Sequence, residues 1–129
     1  MSLETYIVNK LDTLPELSAQ IFPTAALVGD CEPPFAIYTP MSSAPDTDLA
    51  GDIMSVLARV RIDLYGQDYD ALCALAGKVP SALRAENAQF GDMYIFYSKA
   101  APSEPDGFDL TMELHRKTLE AAIRYWEGD

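Results

Sequence analysis

Met54 to Gly66, read MSVLARVRIDLYG, constrains the fold more than any other stretch. Val56, Ala58, Val60, Ile62 and Leu64 alternate with Leu57, Arg59, Arg61, Asp63 and Tyr65. A period of two places the first set on one face and the second on the other, which is the pattern of a half-buried β-strand. Gly66-Gln67-Asp68 then punctuates the chain. Asp68 is a candidate N-cap, and Tyr69, Leu72, Cys73, Leu75, Ala76, Val79 and Leu83 repeat at helical spacing to about Ala85. A strand, a short turn and an amphipathic helix in succession pack face to face. Pro80 lies inside the helical pattern, so a kink or a break near Gly77 to Val79 is expected, at a cost of about 3 kcal/mol relative to Ala.

Before this stretch, Ser2 can cap a helix from Leu3 to Leu14 with a stripe of Leu3, Ile7, Leu11 and Leu14. Glu16 to Phe22 is open between a helical turn and an extended piece. Thr24 to Pro34 reads as loop, and Phe35 to Thr39 as a strand closed at Pro40. Met41 to Asp52 is polar and carries Pro45 and Gly51, so a projecting, mobile connection is expected there, with Asp46, Asp48 and Asp52 on it. Beyond the helix, Glu86 to Asp92 reads as a connection and Met93 to Ala100 as a strand. Pro102 to Asp109 reads as an acidic loop. Met112 to Ala122 tolerates helix, but the alternation of Leu119, Ala121, Ile123 and Tyr125 favours a strand from His115 to Trp126.

A length of 129 residues sets the expectation of one domain over 1–129. The fold expected is α+β: an antiparallel sheet of about four strands with two helices packed on one face. No export signal opens the sequence, and no apolar run approaches the ~20 residues that cross a bilayer, so a soluble protein with no membrane partner is expected. Cys31 and Cys73 have neither CxxC spacing nor a histidine cluster, and reduced thiols are expected. A formal net charge of −11 opposes a surface that grips a nucleic-acid backbone.

Catalytic and metal signatures are weak. His115 is the sole histidine, no GxSxG elbow is present, and the seven glycines form no phosphate loop. His115 is expected as a solvated residue at a strand end. Asp46 to Asp52 starts like a calcium loop but fails at Ala50, where an oxygen ligand belongs, and at Leu57, where the closing Glu belongs. Caps and solvent account for the pairs Asp46/Asp48 and Asp68/Asp70. No catalytic, cofactor-binding or metal residue is assigned.

One feature remains. Two helices cover one face of the sheet, and the other face carries Arg59, Arg61, Tyr65, Tyr94, Phe96 and Trp126. Aromatics beside Arg on an uncovered face mark a protein contact, so Tyr65, Tyr94, Phe96 and Trp126 are the candidate oligomer interface. Trp126 has an alternative use, shielding its own sheet edge.

The pattern resembles the tail-completion or tail-terminator proteins of long-tailed phages, also called tail-to-head joining proteins. The residues that carry the resemblance are Ile21-Phe22-Pro23, Pro34-Phe35-Ala36-Ile37-Tyr38, Leu49-Ala50-Gly51, Arg61 to Gly66, and the helix with Ala71, Leu75, Ala76, Val79 and Leu83. The resemblance implies a structural protein of a phage or prophage virion, assembled in the bacterial cytoplasm, with no enzyme activity and no cofactor. It implies a homo-oligomeric ring, commonly a hexamer, that closes the tail tube and joins it to the head connector. DNA then passes through without specific binding. The alternatives are a small-ligand-binding α+β module without catalysis and a hydrolase of a kind not yet characterised.

Overall fold

The computed structural model describes residues 3–17, 20–23, 33–47, 49–51, 53–110 and 113–127. Its elements are helix α1 (Leu3–Leu11), a 3-10 turn (Pro15–Leu17), strands β1 (Ile21–Pro23), β2 (Phe35–Thr47) and β3 (Ile53–Gly66), helix α2 (Tyr69–Leu83), and strands β4 (Ala85–Phe90), β5 (Met93–Pro102), β6 (Gly107–Asp109) and β7 (Leu114–Glu127). The strands form one seven-stranded sheet in the order β1-β2-β3-β7-β5-β4, with β6 also on β7. All pairings are antiparallel except β1 with β2. Strand accounts for 56% of the structure. The expected α+β fold with a four-stranded antiparallel sheet is therefore overturned: the fold is mostly β, and its sheet is mixed.

The alternation of β3 sets the architecture. Ala58, Val60, Ile62 and Leu64 are buried against Leu72, Leu75, Val79 and Leu83 of α2, with Leu119, Ala121 and Ile123 of β7 beside them. Tyr6, Ile7 and Leu11 of α1 join the same core, and the Tyr6 hydroxyl donates to the Leu83 carbonyl at 3.2 Å. Both helices thus serve one face of the sheet, and we call the opposite one the outer face. Burying these apolar side chains, each contributing roughly 1.5–3 kcal/mol, drives the packing.

Three departures from the sequence expectation have clear physical causes. Met41 to Thr47 is strand and not connection, because β2 keeps pairing with β3 out to Asp46↔Ser55 and Thr47↔Ile53. Pro40 and Pro45 are tolerated because β1 covers only Ala36 to Tyr38, which leaves the rest of β2 at the sheet edge, where a missing N–H costs no ladder bond. Glu86 to Phe90 is likewise strand, paired with β5 through a two-residue turn in which Gly91 has φ 60°. Lastly, α2 runs unbroken through Pro80, and its Asp68 cap accepts from the Asp70 amide. The expected break is absent.

Smaller shifts accompany these. α1 ends at Leu11 and gives way to the 3-10 turn Pro15–Leu17. Inside the expected acidic loop, Gly107 to Asp109 pairs with β7 as β6. The N-cap expected of Ser2, the thiol of Cys31, and Asp48 and Asp52 lie outside the described residues. Cys73 is a free, half-buried thiol.

Candidate functional site

The outer face divides into three zones along the strands. Its centre is ionic. Arg59 meets Glu120 at 3.0 Å, and Arg61 spans Asp63 and Glu104, each at 3.1 Å. Asp63 is buried, and the Thr118 hydroxyl donates to it at 2.6 Å. A buried carboxylate with a guanidinium and a hydroxyl on it is satisfied. The charges of this zone are therefore spent within the chain.

At one end lie Tyr94, Phe96 and Trp126. Tyr94 stands opposite Trp126 across β5 and β7, and its ring meets Phe96 edge-on at 5.0 Å. Phe96 occupies the irregular step between Ile95 and Tyr97. Phe96 and Trp126 remain exposed, by 38% and 44%. Arg124 is two residues from Trp126 on the same face, donates to Ser55 Oγ at 2.9 Å, and lies 3.9 Å from Asp46. Lys99 sits 5.2 Å over the Tyr97 ring. This end thus sets aromatic rings beside two cations, Lys99 and Arg124, the latter within reach of Asp46. Beside it β2 and β3 run past Val56, the last β3 residue paired with β7, so their hairpin extends beyond the sheet.

Tyr65 belongs elsewhere. Its ring stacks on Phe35 at 5.0 Å, in a small cluster with Ile37, Leu114 and Phe22, and burial pushes its hydroxyl pKa up. Tyr65 pairs with Arg116, whereas Tyr94 pairs with Trp126. Ten residues of β7 separate the two, about 33 Å of strand. The structure thus brings three of the four sequence-chosen aromatics together and sets the fourth at the far end. Of the three acidic residues assigned to the projecting segment, Asp46 lies in β2 within reach of Arg124.

The helix-side face holds a second cluster that sequence reasoning missed. The Tyr69 hydroxyl donates to Asp106, and Lys117 Nζ lies 3.0 Å from both Asp106 oxygens and 5.4 Å over the Tyr69 ring. His115, expected to be solvated, contacts the Tyr69 ring at 5.3 Å and the Phe108 ring at 4.9 Å. The Tyr69 hydroxyl, followed by Lys117, holds the Asp106 carboxyl below its ordinary pKa, and Asp106 in turn raises the pKa of Tyr69 and of Lys117. Acid-base catalysts are tuned toward neutrality, and these three groups move away from it. The cluster is a clasp that ties the 103–106 loop to α2 and β7. No sequence motif announces it, because its members come from three elements.

Among the described residues, no group of three or more His, Cys, Asp or Glu side chains gathers as a metal site, and no helix is long and apolar enough to cross a membrane. No protein-family model matches the sequence, and no curated protein matches it. The fold does match a known one: a chain in the solved structure "Virion of native gene transfer agent (GTA) particle" superposes with a TM-score of 0.75 at 14% identity, over 98% of this chain and 96% of that one. At that identity the likeness shows a shared fold, and the two chains share it from end to end.

Proposed function

We propose that this protein, as one domain over residues 1–129, is a structural component of a phage-like virion. In it, copies of the chain form a ring that closes the tail tube and joins it to the head connector. The observation that carries the reading is the end-to-end fold likeness to a chain of a virion particle. The outer face adds support: Tyr94, Phe96 and Trp126, flanked by Arg124, form the kind of surface that protein partners cover. Assembly occurs in the bacterial cytoplasm, the ring is a hexamer, and the acidic charge lets DNA slide past without being held.

The test is genetic. A phage or prophage deleted for this chain should yield filled heads and tails that stay unjoined or grow to uncontrolled length, as seen by negative-stain microscopy. Joined tails of normal length in the deletion strain would overturn the tail-closing role.

A further inference from the structure

A closed ring needs a heterologous contact, in which one patch on a copy meets a different patch on the next. The sheet supplies two patches placed for this. The first is the Trp126 end of the outer face. The second lies at the other end and on the helix side, where a cavity of about 210 Å³ opens between the segment before β2 and the start of α2. Pro33, Pro34, Ala71 and Leu75 line it together with Asp68 and Glu16, the latter ion-paired to Lys78 at 3.0 Å. Such a volume falls below the roughly 300–1,000 Å³ of small-molecule sites. It suits one aromatic side chain with a cation beside it.

Resting on the ring reading above, we propose that Trp126 of one copy seats in this cavity of the next copy, with Arg124 and Lys99 facing its acidic rim. Three features of the chain converge. Trp126 is an exposed aromatic and Ala71 an exposed alanine, so among the described residues both halves are open. The charges are complementary, Lys99 and Arg124 against Asp68 and the neighbouring Asp70; Glu16 is already held by Lys78 at 3.0 Å, and Arg124 shares Asp46 at 3.9 Å. The two halves also cannot meet within one molecule. Gly66, which lines the cavity, pairs with His115 at the start of β7, eleven residues or about 36 Å of strand from Trp126.

The experiment uses the intact chain and two single-defect variants that leave the core untouched. Trp126→Glu spoils the knob and Ala71→Arg fills the hole, and each should weaken self-association by about 30-fold or more, the effect of losing a buried aromatic anchor. Sedimentation velocity reads this, with thermal unfolding as the check on folding. Should Ala71→Arg disturb α2, Gln67→Phe fills the same cavity from outside the helix. Trp126 is the sole tryptophan, which gives a direct readout. Titrating the Ala71→Arg chain with excess Trp126→Glu chain joins the one intact knob to the one intact hole, and the emission should shift to shorter wavelength. Adding Ala71→Arg to the Trp126→Glu partner should abolish the shift. Wild-type assembly that survives both cavity-filling variants, or the absence of a shift at saturating partner, overturns the docking and leaves the tail-closing role to the deletion experiment. A wild-type chain that stays monomeric at every concentration overturns it as well.

Discussion

Val60 is 1% exposed at the middle of β3, between Pro40 on β2 and Ala121 on β7, and its side chain points into the core beneath α2. Val60→Asp removes about 2 kcal/mol of apolar burial and installs a carboxylate where no cation is placed to receive it. Burial of that kind raises a carboxyl pKa by about 3–5 units, and each unit is 1.36 kcal/mol, so holding the group charged at neutral pH costs about 4–7 kcal/mol. Against a total stability of about 5–15 kcal/mol, the variant should be largely unfolded at pH 7. The penalty has a pH signature. Because the folded-state pKa lies above the unfolded one, the loss is full at high pH and shrinks as pH falls toward about 3.9. Urea titrations of variant and wild type at matched pH values should therefore show a gap that narrows in acid to the loss of apolar burial, about 2 kcal/mol. Arg59→Asp is the control one residue away. Arg59 is half-exposed, and losing its 3.0 Å pair with Glu120 should cost about 1 kcal/mol or less. A Val60→Asp chain within about 1 kcal/mol of wild type at pH 7, or an Arg59→Asp chain more damaged than it, would refute the assigned faces of β3.

Asp106→Asn should lower the melting temperature at neutral pH and speed amide exchange over 103–106. Because the Asp106 carboxyl is held below its ordinary pKa, its contribution is present above the carboxylate range and lost as pH falls through the folded value, so variant and wild type should match in acid. Pro80→Ala restores a helical N–H donor in α2 and should raise stability by about 1–3 kcal/mol, with a lower melting temperature as the contrary result. For associating copies, salt should act in two directions by sedimentation. Association strengthens from about 10 to 150 mM as repulsion between chains of net charge −11 is screened, and then weakens as Arg124 and Lys99 lose their acidic partners; a monotonic rise would remove the ion pairs from the contact.

Much of the fold was legible where local pattern and tertiary environment agree. β3 alternates cleanly over Met54 to Gly66, and the structure adds only Ile53 to it; α2 follows its N-cap, and β7 holds to its alternation. The misses share a cause. AENAQF in β4 and the SSAPDT half of β2 have little strand propensity of their own and become strand because a strongly patterned neighbour offers its hydrogen bonds. For β4 a signal was present: Gly91-Asp92 is a two-residue hairpin dipeptide between Phe90 and Met93. The sheet's size followed from these misses, since β1 and β6 are three residues each and exist only as partners of β2 and β7.

The candidate site was legible in one dimension and not in the other. Period two assigns each residue of a strand to a face, and on that ground Tyr65, Tyr94, Phe96 and Trp126 belong together on the outer one. Position along the strand depends on register, and no residue in β3 specifies which residue of β7 it will oppose. A surface patch needs both coordinates. The observed register places Tyr65 opposite Arg116, where Phe35 stacks on it, and places Tyr94 opposite Trp126, where nothing in the described chain covers the exposed indole. Parity therefore named the face, and pairing chose the end of it. The same reasoning explains why the cavity at Pro33 and Pro34 had no sequence signal. Its walls come from the segment before β2, the turn after β3 and the first turns of α2, which meet only once β2 and β3 are in register at Phe35↔Tyr65. Knob and hole lie at opposite ends of one sheet because β7 begins beside the hole, at Gly66↔His115, and finishes at the knob, at Tyr94↔Trp126. A strand long enough to reach both ends is what separates the two patches, and separated, unlike patches are what a head-to-tail contact requires.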